Sequence, residues 1–206
     1  MYKSKWFVGS AVLAGCLAIV GRVSTVSAAG NDAQIAKQLT TDKITLTRAI
    51  EVAQEASKGK AVSASARMMG SDLEIYVHCL AGDRCMEVPV NAKTGKAGKL
   101  TETKAIGKLN PLAQAREVEK LLTEDKITLA SAIQTAQTNS KGEAISAHCT
   151  TAGAKLTIEV RCVAAEKPLQ VLVDGKTNKV TRTEQVAQAG GHPRHHGGNH
   201  SNPPKK

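Results

Sequence analysis

Aromatic side chains are scarce in this chain. Phe, Trp and Tyr make up 2% of its 206 residues, and Tyr2, Trp6 and Phe7 all lie within the first seven positions. Tyr76 is then the one such side chain in the rest of the sequence. Proteins that bind single-stranded nucleic acids stack the bases on several aromatic rings, which this chain lacks. The sequence therefore predicts an aliphatic core and no nucleic-acid partner.

Catalytic signatures are missing as well. The sequence contains no P-loop, no GxGxxG, no HExxH and no serine or cysteine in a nucleophile-elbow pattern. No CxxC is present, which excludes thioredoxin-like and c-type haem sites. We therefore expect no enzyme and no cofactor.

More than half of the net positive charge comes from basic residues near the two ends of the sequence. The formal net charge is +10, with 28 Lys and Arg against 18 Asp and Glu. Removing the six basic residues at the ends leaves about +4 for the part that is expected to fold, so the charge does not indicate a nucleic-acid partner. Those six residues are Lys3, Lys5, Arg22, Arg194, Lys205 and Lys206.

The first 28 residues are typical of a signal peptide. Two lysines precede the apolar run WFVGSAVLAGCLAIV, and small residues end at Ala28. The run is about 15 residues long, short of the roughly 20 that span a bilayer, so we expect no stable membrane span. Cleavage near Ala28 would give a secreted or periplasmic protein. The alternative is a lipid anchor through Cys16, because LAGC resembles a bacterial lipobox, although the chain stays apolar after Cys16.

The sequence repeats itself. The segment LTTDKITLTRAIEVAQ, which begins at Leu39, recurs as LTEDKITLASAIQTAQ at Leu122, without a gap and at a constant offset of 83. Residues 39–99 and 122–182 share about 28 identities over roughly 61 positions. We infer an internal duplication, since chance does not produce a match of this length. A short polar helical stretch precedes each copy, at residues 33–38 and 113–120.

Each copy begins with the pattern of one amphipathic helix, in which apolar residues recur at intervals of three and four. Thr45 and Thr128 stand where N-caps are expected, and Gly59 and Gly142 follow as C-terminal stops. The apolar stripe consists of Leu46, Ala49, Ile50 and Ala53 in one copy and of Leu129, Ala132, Ile133 and Ala136 in the other.

After each of these glycines the apolar period falls to two, which is typical of strands. In the first copy the alternating segments cover residues 62–67, 73–79 and 86–90, with turns at Gly70, at 81–84 and at 93–95. We predict an α+β protein built of two tandem copies of a helix followed by an antiparallel β-meander. The helix should cover one face of the sheet and leave the other face solvated.

These motifs resemble the PepSY domain. The resemblance rests on the ITL-x-x-AI-x-x-A helix, on the central strand with IYV or IEV, and on the endings VNAKTGK and VDGKTNK. It gives two PepSY-like repeats, residues 31–102 and 111–186. It implies an exported, non-enzymatic module from a family that occurs in peptidase propeptides and in stand-alone secreted or periplasmic proteins. Asn178 stands where Gly is common in the family, and Asn also tolerates a left-handed turn.

Four cysteines remain after removal of the signal peptide: Cys79, Cys85, Cys149 and Cys162. An even number in an exported chain is consistent with two disulfides, of which Cys79–Cys85 and Cys149–Cys162 are the economical pairs. The second pair fits less well, because a meander that turns near Gly153 separates its members along the strands. The rival interpretation is metal binding by the two His-Cys dipeptides, which end at Cys79 and Cys149.

Neither strand histidine recurs in both copies. His78 aligns with Arg161, and His148 aligns with Ser65. A residue that serves a function shared by the two copies is expected in both. We therefore interpret the two histidines as solvent-exposed side chains of the strands rather than as catalytic bases.

The C-terminal segment, residues 187–206, has the composition of a disordered tail. Its imidazoles are able to bind Cu²⁺, Ni²⁺ or Zn²⁺ weakly, or the segment is a spacer with no specific ligand. The histidines concerned are His192, His195, His196 and His200.

The resemblance together with the lack of catalytic motifs favours an exported, non-enzymatic binding module, and the family resemblance implies either inhibition of a secreted peptidase or another protein interaction. The alternative is an envelope metal-binding protein that uses the His-rich tail. The sequence names no partner and no oligomeric state.

Overall fold

A computed structural model describes residues 29–103 and 112–186. The predicted signal peptide with Cys16 and the tail with His192, His195, His196 and His200 lie outside the described residues.

The described residues form an α+β structure of four helices and one antiparallel sheet of eight strands. The order of strands across the sheet is β4-β3-β2-β1-β5-β6-β7-β8. The helices are α1 (Ala29–Asp42), α2 (Leu46–Ser57), α3 (Leu112–Glu124) and α4 (Leu129–Ser140). The strands are β1 (Lys60–Met69), β2 (Asp72–Ala81), β3 (Arg84–Asn91), β4 (Thr101–Thr103), β5 (Glu143–Ala152), β6 (Lys155–Ala164), β7 (Lys167–Asp174) and β8 (Val180–Gln185).

The first and last bounds of α4, β5, β6 and β7 are those of α2, β1, β2 and β3 shifted by 83 positions. The two halves share one sheet, because β1 pairs with β5 in the antiparallel sense at its centre. Three residue pairs make this junction: Ser63 with His148, Ala64 with Ala147, and Ser65 with Ser146.

The predicted helix starts and apolar stripes are confirmed. The side chain of Thr45 accepts a hydrogen bond from the backbone N–H of Arg48, and that of Thr128 accepts one from Ser131. These bonds satisfy N–H groups that have no partner within the helix. All eight residues of the two predicted stripes are buried.

The two glycines after these helices have a different role from the predicted one. Lys58 and Lys141, not Gly59 and Gly142, take the left-handed conformation at the helix ends. A Cβ on Gly142 would lie 2.7 Å from the carbonyl oxygen of Val163, and one on Gly59 would strike the carbonyl oxygen of Leu80. Glycine is required here because two backbones approach closely.

Helices cover both faces of the sheet near its centre. α2 contacts β1, β2 and β3, and α4 contacts β5, β6 and β7. On the opposite face, Asp32 of α1 pairs with Arg161, and Lys60 Nζ donates a hydrogen bond to Thr123 of α3 at 2.6 Å. The prediction that this second face is solvated is therefore wrong at the centre. The reason is that α1 and α3 extend beyond the predicted polar stretches and bury apolar residues, namely Ile35, Ala36, Leu39, Val118, Leu121 and Leu122.

No helix within residues 29–103 and 112–186 is long and apolar enough to cross a membrane.

The close approach at Gly142 leads to a stability prediction. Gly142→Ala should lower the free energy of unfolding by about 1 to 3 kcal/mol, because the added methyl group meets the backbone of Val163, which must shift. Gly98→Ala is the matched control. Its Cβ would lie 3.1 Å from a side-chain carbon of Pro89, which is able to shift, so a change within about 0.5 kcal/mol is expected. Urea unfolding followed by circular dichroism measures both, and equal costs would contradict this account of Gly142.

Candidate functional site

Polar side chains form a continuous row across the centre of the second face of the sheet. The register aligns Glu87 with His78, His78 with Ser63, Ser63 with His148, and His148 with Glu159. Directly opposed residues in antiparallel strands project to the same face. The five side chains therefore lie side by side on β3, β2, β1, β5 and β6, and we call them the polar row.

His78 is held between two partners. Its Nδ1 lies 3.0 Å from Ser63 Oγ, and its Nε2 lies 3.2 Å from Glu87 Oε2. A carboxylate only accepts hydrogen bonds, so Nε2 carries the proton and the Ser63 hydroxyl donates to Nδ1. His78 is only 7% exposed and Ser63 9%. The prediction of a solvent-exposed His78 is therefore wrong, because α1 and α3 cover this face.

Burial limits the chemistry that the three hydrogen-bonded side chains Ser63, His78 and Glu87 are able to perform. The order of donors is the one that would activate a serine hydroxyl through a histidine base. Such a hydroxyl must also reach a substrate carbonyl. Ser63 is instead buried in the middle of an eight-stranded sheet, paired on both sides. The three side chains satisfy one another's hydrogen bonds and fix the packing of the sheet centre.

Burial is the main influence on the charge of His78. Removal from water lowers the pKa of His78 below its ordinary value, the Glu87 carboxylate raises it, and the Arg67 guanidinium lowers it. Since burial prevails, His78 is neutral at neutral pH.

The second half of the row opens into a small cavity. His148 Nε2 lies 2.9 Å from Glu159 Oε2, and the same carboxylate oxygen accepts a hydrogen bond from Gln170 Nε2 at 3.1 Å. Arg161 pairs with Asp32 at 2.6 Å, which fixes the start of α1 at the edge of this cavity. The cavity volume is about 240 Å³, and the lining residues are Ser146, His148, Glu159, Val160, Arg161, Gln170 and Val186.

All four described cysteines are free thiols, and all are buried. Cys149 lies opposite Ile158, four residues along β6 from Cys162. At about 3.3 Å per residue this offset is about 13 Å, beyond the reach of a disulfide, so the predicted Cys149–Cys162 bridge is incompatible with this register. Cys79 lies opposite Met86 and Cys85 opposite Leu80, and a bridge between these two cysteines stays a prediction.

The buried thiols are poor nucleophiles and poor metal ligands. Burial raises the pKa of Cys149 to about 12 and that of Cys85 to about 11. Both are neutral at physiological pH, whereas thiolates are the species that attack and that bind metals. Within the described ranges no group of three or more His, Cys, Asp or Glu side chains is arranged to hold a metal ion.

A second surface feature is an open groove between α4 and the start of β8. Its volume is about 760 Å³. Thr183 Oγ1 lies 3.0 Å from Asn139 Oδ1, which ties the strand to the helix beside the groove. The lining residues are Ser131, Gln134, Thr135, Thr138, Asn139, Asn178, Lys179 and Val180.

Comparisons with known proteins leave the family open. No family model matches the chain, and no curated protein matches it. Among solved structures it is similar to a putative lipoprotein from Clostridium difficile 630, with 18% sequence identity and a TM-score of 0.43 over 67% of this chain and 90% of that one. A similarity of this size carries no conclusion about family or function.

Sequence reasoning found the residues of the polar row only in part. It singled out His78 and His148 but missed that Ser63 lies between them, since the β1–β5 pairing is not visible in a local pattern. One available signal was that Ser63 and Ser146 are identical at equivalent positions of the two copies. No sequence pattern indicated that Asp32 pairs with Arg161, because Asp32 belongs to α1, which begins before the repeated segments.

The lowered pKa of His78 gives a pH prediction. The unfolded chain binds a proton on this residue more readily than the folded one, so stability is complete above the ordinary pKa and declines as the pH falls below about 6.5. His78→Gln retains hydrogen-bonding groups but does not titrate. Urea unfolding between about pH 7.5 and about pH 5.5 should show a smaller decline for the variant. Parallel curves for the two proteins would contradict the assignment.

Proposed function

We propose that this chain is an exported, non-enzymatic binding module made of two tandem PepSY-like repeats, each a helix followed by an antiparallel β-meander. The observation that carries the proposal is the gap-free duplication of the PepSY-like motifs. The equal offset of 83 between the bounds of α2 to β3 and those of α4 to β7 supports it. The left-handed conformation at both Gly95 and Asn178 agrees with Asn replacing Gly in the second repeat.

The export part of the proposal rests on the sequence of residues 1–28. A cleaved signal peptide would release the protein into the periplasm or the medium, and a lipid anchor through Cys16 is the alternative.

Two features support a role without catalysis. Ser63 Oγ lies 3.0 Å from His78 Nδ1 but is only 9% exposed, which disfavours attack of its hydroxyl on a substrate carbonyl. The thiols are buried and their pKa values are raised, which removes the cysteines as nucleophiles. Among the described residues, the outer surface of the helices, the two sheet edges and the cavity beside His148 are open to a partner.

A peptidase-inhibitory role follows from the PepSY resemblance and is directly testable. The mature protein should form a complex with at least one secreted peptidase and slow its hydrolysis of a small fluorogenic substrate. A competing substrate also slows hydrolysis, so intact mass after the incubation must show an uncut chain. Neither a complex nor slowed hydrolysis across serine, cysteine and metallopeptidases would remove the inhibitory role.

Metal binding by the tail is the second candidate function, favoured by four histidines within residues 192–200. Calorimetric titration with Cu²⁺ or Ni²⁺ should show weak binding by the mature protein and none by a variant that ends at Gln188. Replacing the four tail histidines by alanine while keeping the tail length is the matched control and should also abolish binding. Equal affinity in all three proteins would eliminate the tail as the ligand set.

A further inference from the structure

We propose that an extended segment of another protein adds to the sheet as a ninth strand beside β8 and lies against the groove between α4 and the start of β8. This inference rests on the proposed function as a binding module and assigns the surface that it uses. Addition of a strand to a sheet edge is an established way to recognise extended peptides.

β8 is a free edge whose outward main-chain groups can be identified. It is the last strand of the sheet and pairs only with β7 among the described residues. The N–H of Val186 donates to the carbonyl of Pro168, so the inward-facing residues of β8 alternate back from Val186 to Glu184 and Arg182. Thr183 and Gln185 therefore direct their N–H and C=O groups away from the sheet, and both residues are exposed.

The opposite edge of the sheet, at β4, has fewer residues with which a partner strand is able to pair. β4 has three residues and pairs only with Cys85, Met86 and Glu87 of β3. Beyond it the chain makes one isolated bridge, between Val90 and Ala97, and Gly98 lies against Pro89. β8 has six residues, of which Arg182 to Gln185 pair with β7 without interruption after a bulge, whereas β4 has three.

The side chains beside β8 are selective for uncharged partners. The α4 residues that line the groove carry no charge, and Lys179 is the one charged lining residue. The matching positions on α2 include Arg48, Glu51 and Glu55. A basic side chain that entered the groove would meet Lys179 and lose water without gaining an opposite charge, and an acidic one would find only the exposed Lys179. The favoured occupant is therefore an extended segment with small or polar uncharged side chains, such as Ser, Thr, Asn and Gln, towards α4.

The experiment uses the mature protein and a displayed library of random peptides of about twelve residues, a length that spans β8 with margins. Peptides enriched on the wild-type protein are synthesised and titrated by fluorescence anisotropy. Thr183→Pro removes an outward N–H without breaking the bonds between β8 and β7, and should weaken binding by at least about tenfold. Thr183→Val is its matched control, because it keeps the N–H and loses only the hydroxyl.

A second pair of variants tests the helix side of the groove. Thr138→Glu places on α4 the residue that α2 carries at the equivalent position, Glu55, and should weaken binding at least about tenfold for an uncharged peptide. Glu55→Thr is the reciprocal change on α2 and should leave the affinity unchanged. Unaltered circular dichroism and urea midpoints establish that each variant is folded.

The outcomes separate this inference from the proposed function. If the enriched peptides bind the Thr183→Pro and Thr138→Glu variants as tightly as the wild-type protein, the proposed peptide site beside β8 is wrong. The proposed function as a binding module is not affected by that result. Failure to enrich any peptide would also contradict the proposed peptide site. The incubation with peptidases tests the proposed function as a binding module independently. A concentration-dependent dimer that Thr183→Pro abolishes would overturn the proposed peptide site too, since the occupant of β8 would then be a second copy of the chain.

Discussion

The pairing of β1 with β5 is the contact on which the rest of the structure depends. Three residue pairs join the two halves into one sheet. Two sheets of about four strands each would have four edges and two small cores, and small cores leave a large fraction of the chain exposed. The joined sheet has two edges and one continuous buried cluster that draws on both halves. A chain with almost no aromatic side chains gains most from this arrangement, because its many small aliphatic residues bury area only when they are packed together.

The same pairing accounts for the polar row. It sets Ser63 of β1 beside His148 of β5, and the covering of this face by α1 and α3 removes His78 from water. A buried imidazole requires partners for both nitrogens, and Ser63 and Glu87 supply them. Such a row restricts the register, since a shift of β1 against β5 by one residue would place the polar side chains among the apolar residues of the other face.

The sequence predicted what local periodicity determines. The helix stripes, the Thr45 and Thr128 N-caps and the alternating strands follow from spacings of a few residues, and the structure confirms them. It did not predict the burial of His78, which depends on helices outside the repeats, nor the role of Gly59, which depends on the backbone of β2. The predicted Cys149–Cys162 bridge failed for the same reason, since the register between β5 and β6 decides which thiols meet.

The differences between the matching segments, residues 39–99 and 122–182, are consistent with a binding surface in the second half. The residues that build the sheet and the helix stripes are the ones that the two copies retain, because both halves must pack in the same way. Outward-facing positions are free of that constraint, and there the copies differ: α2 carries charges where α4 carries Ser, Gln and Thr. The edges differ as well: β4 has three residues and Gly98 lies against Pro89 at one edge, whereas β8 has six residues with a bulge beside Leu172 at the other. Within the part of the chain that the structure describes, an uncharged helix face lies next to a free sheet edge at β8, and an extended segment adds to a sheet at such an edge.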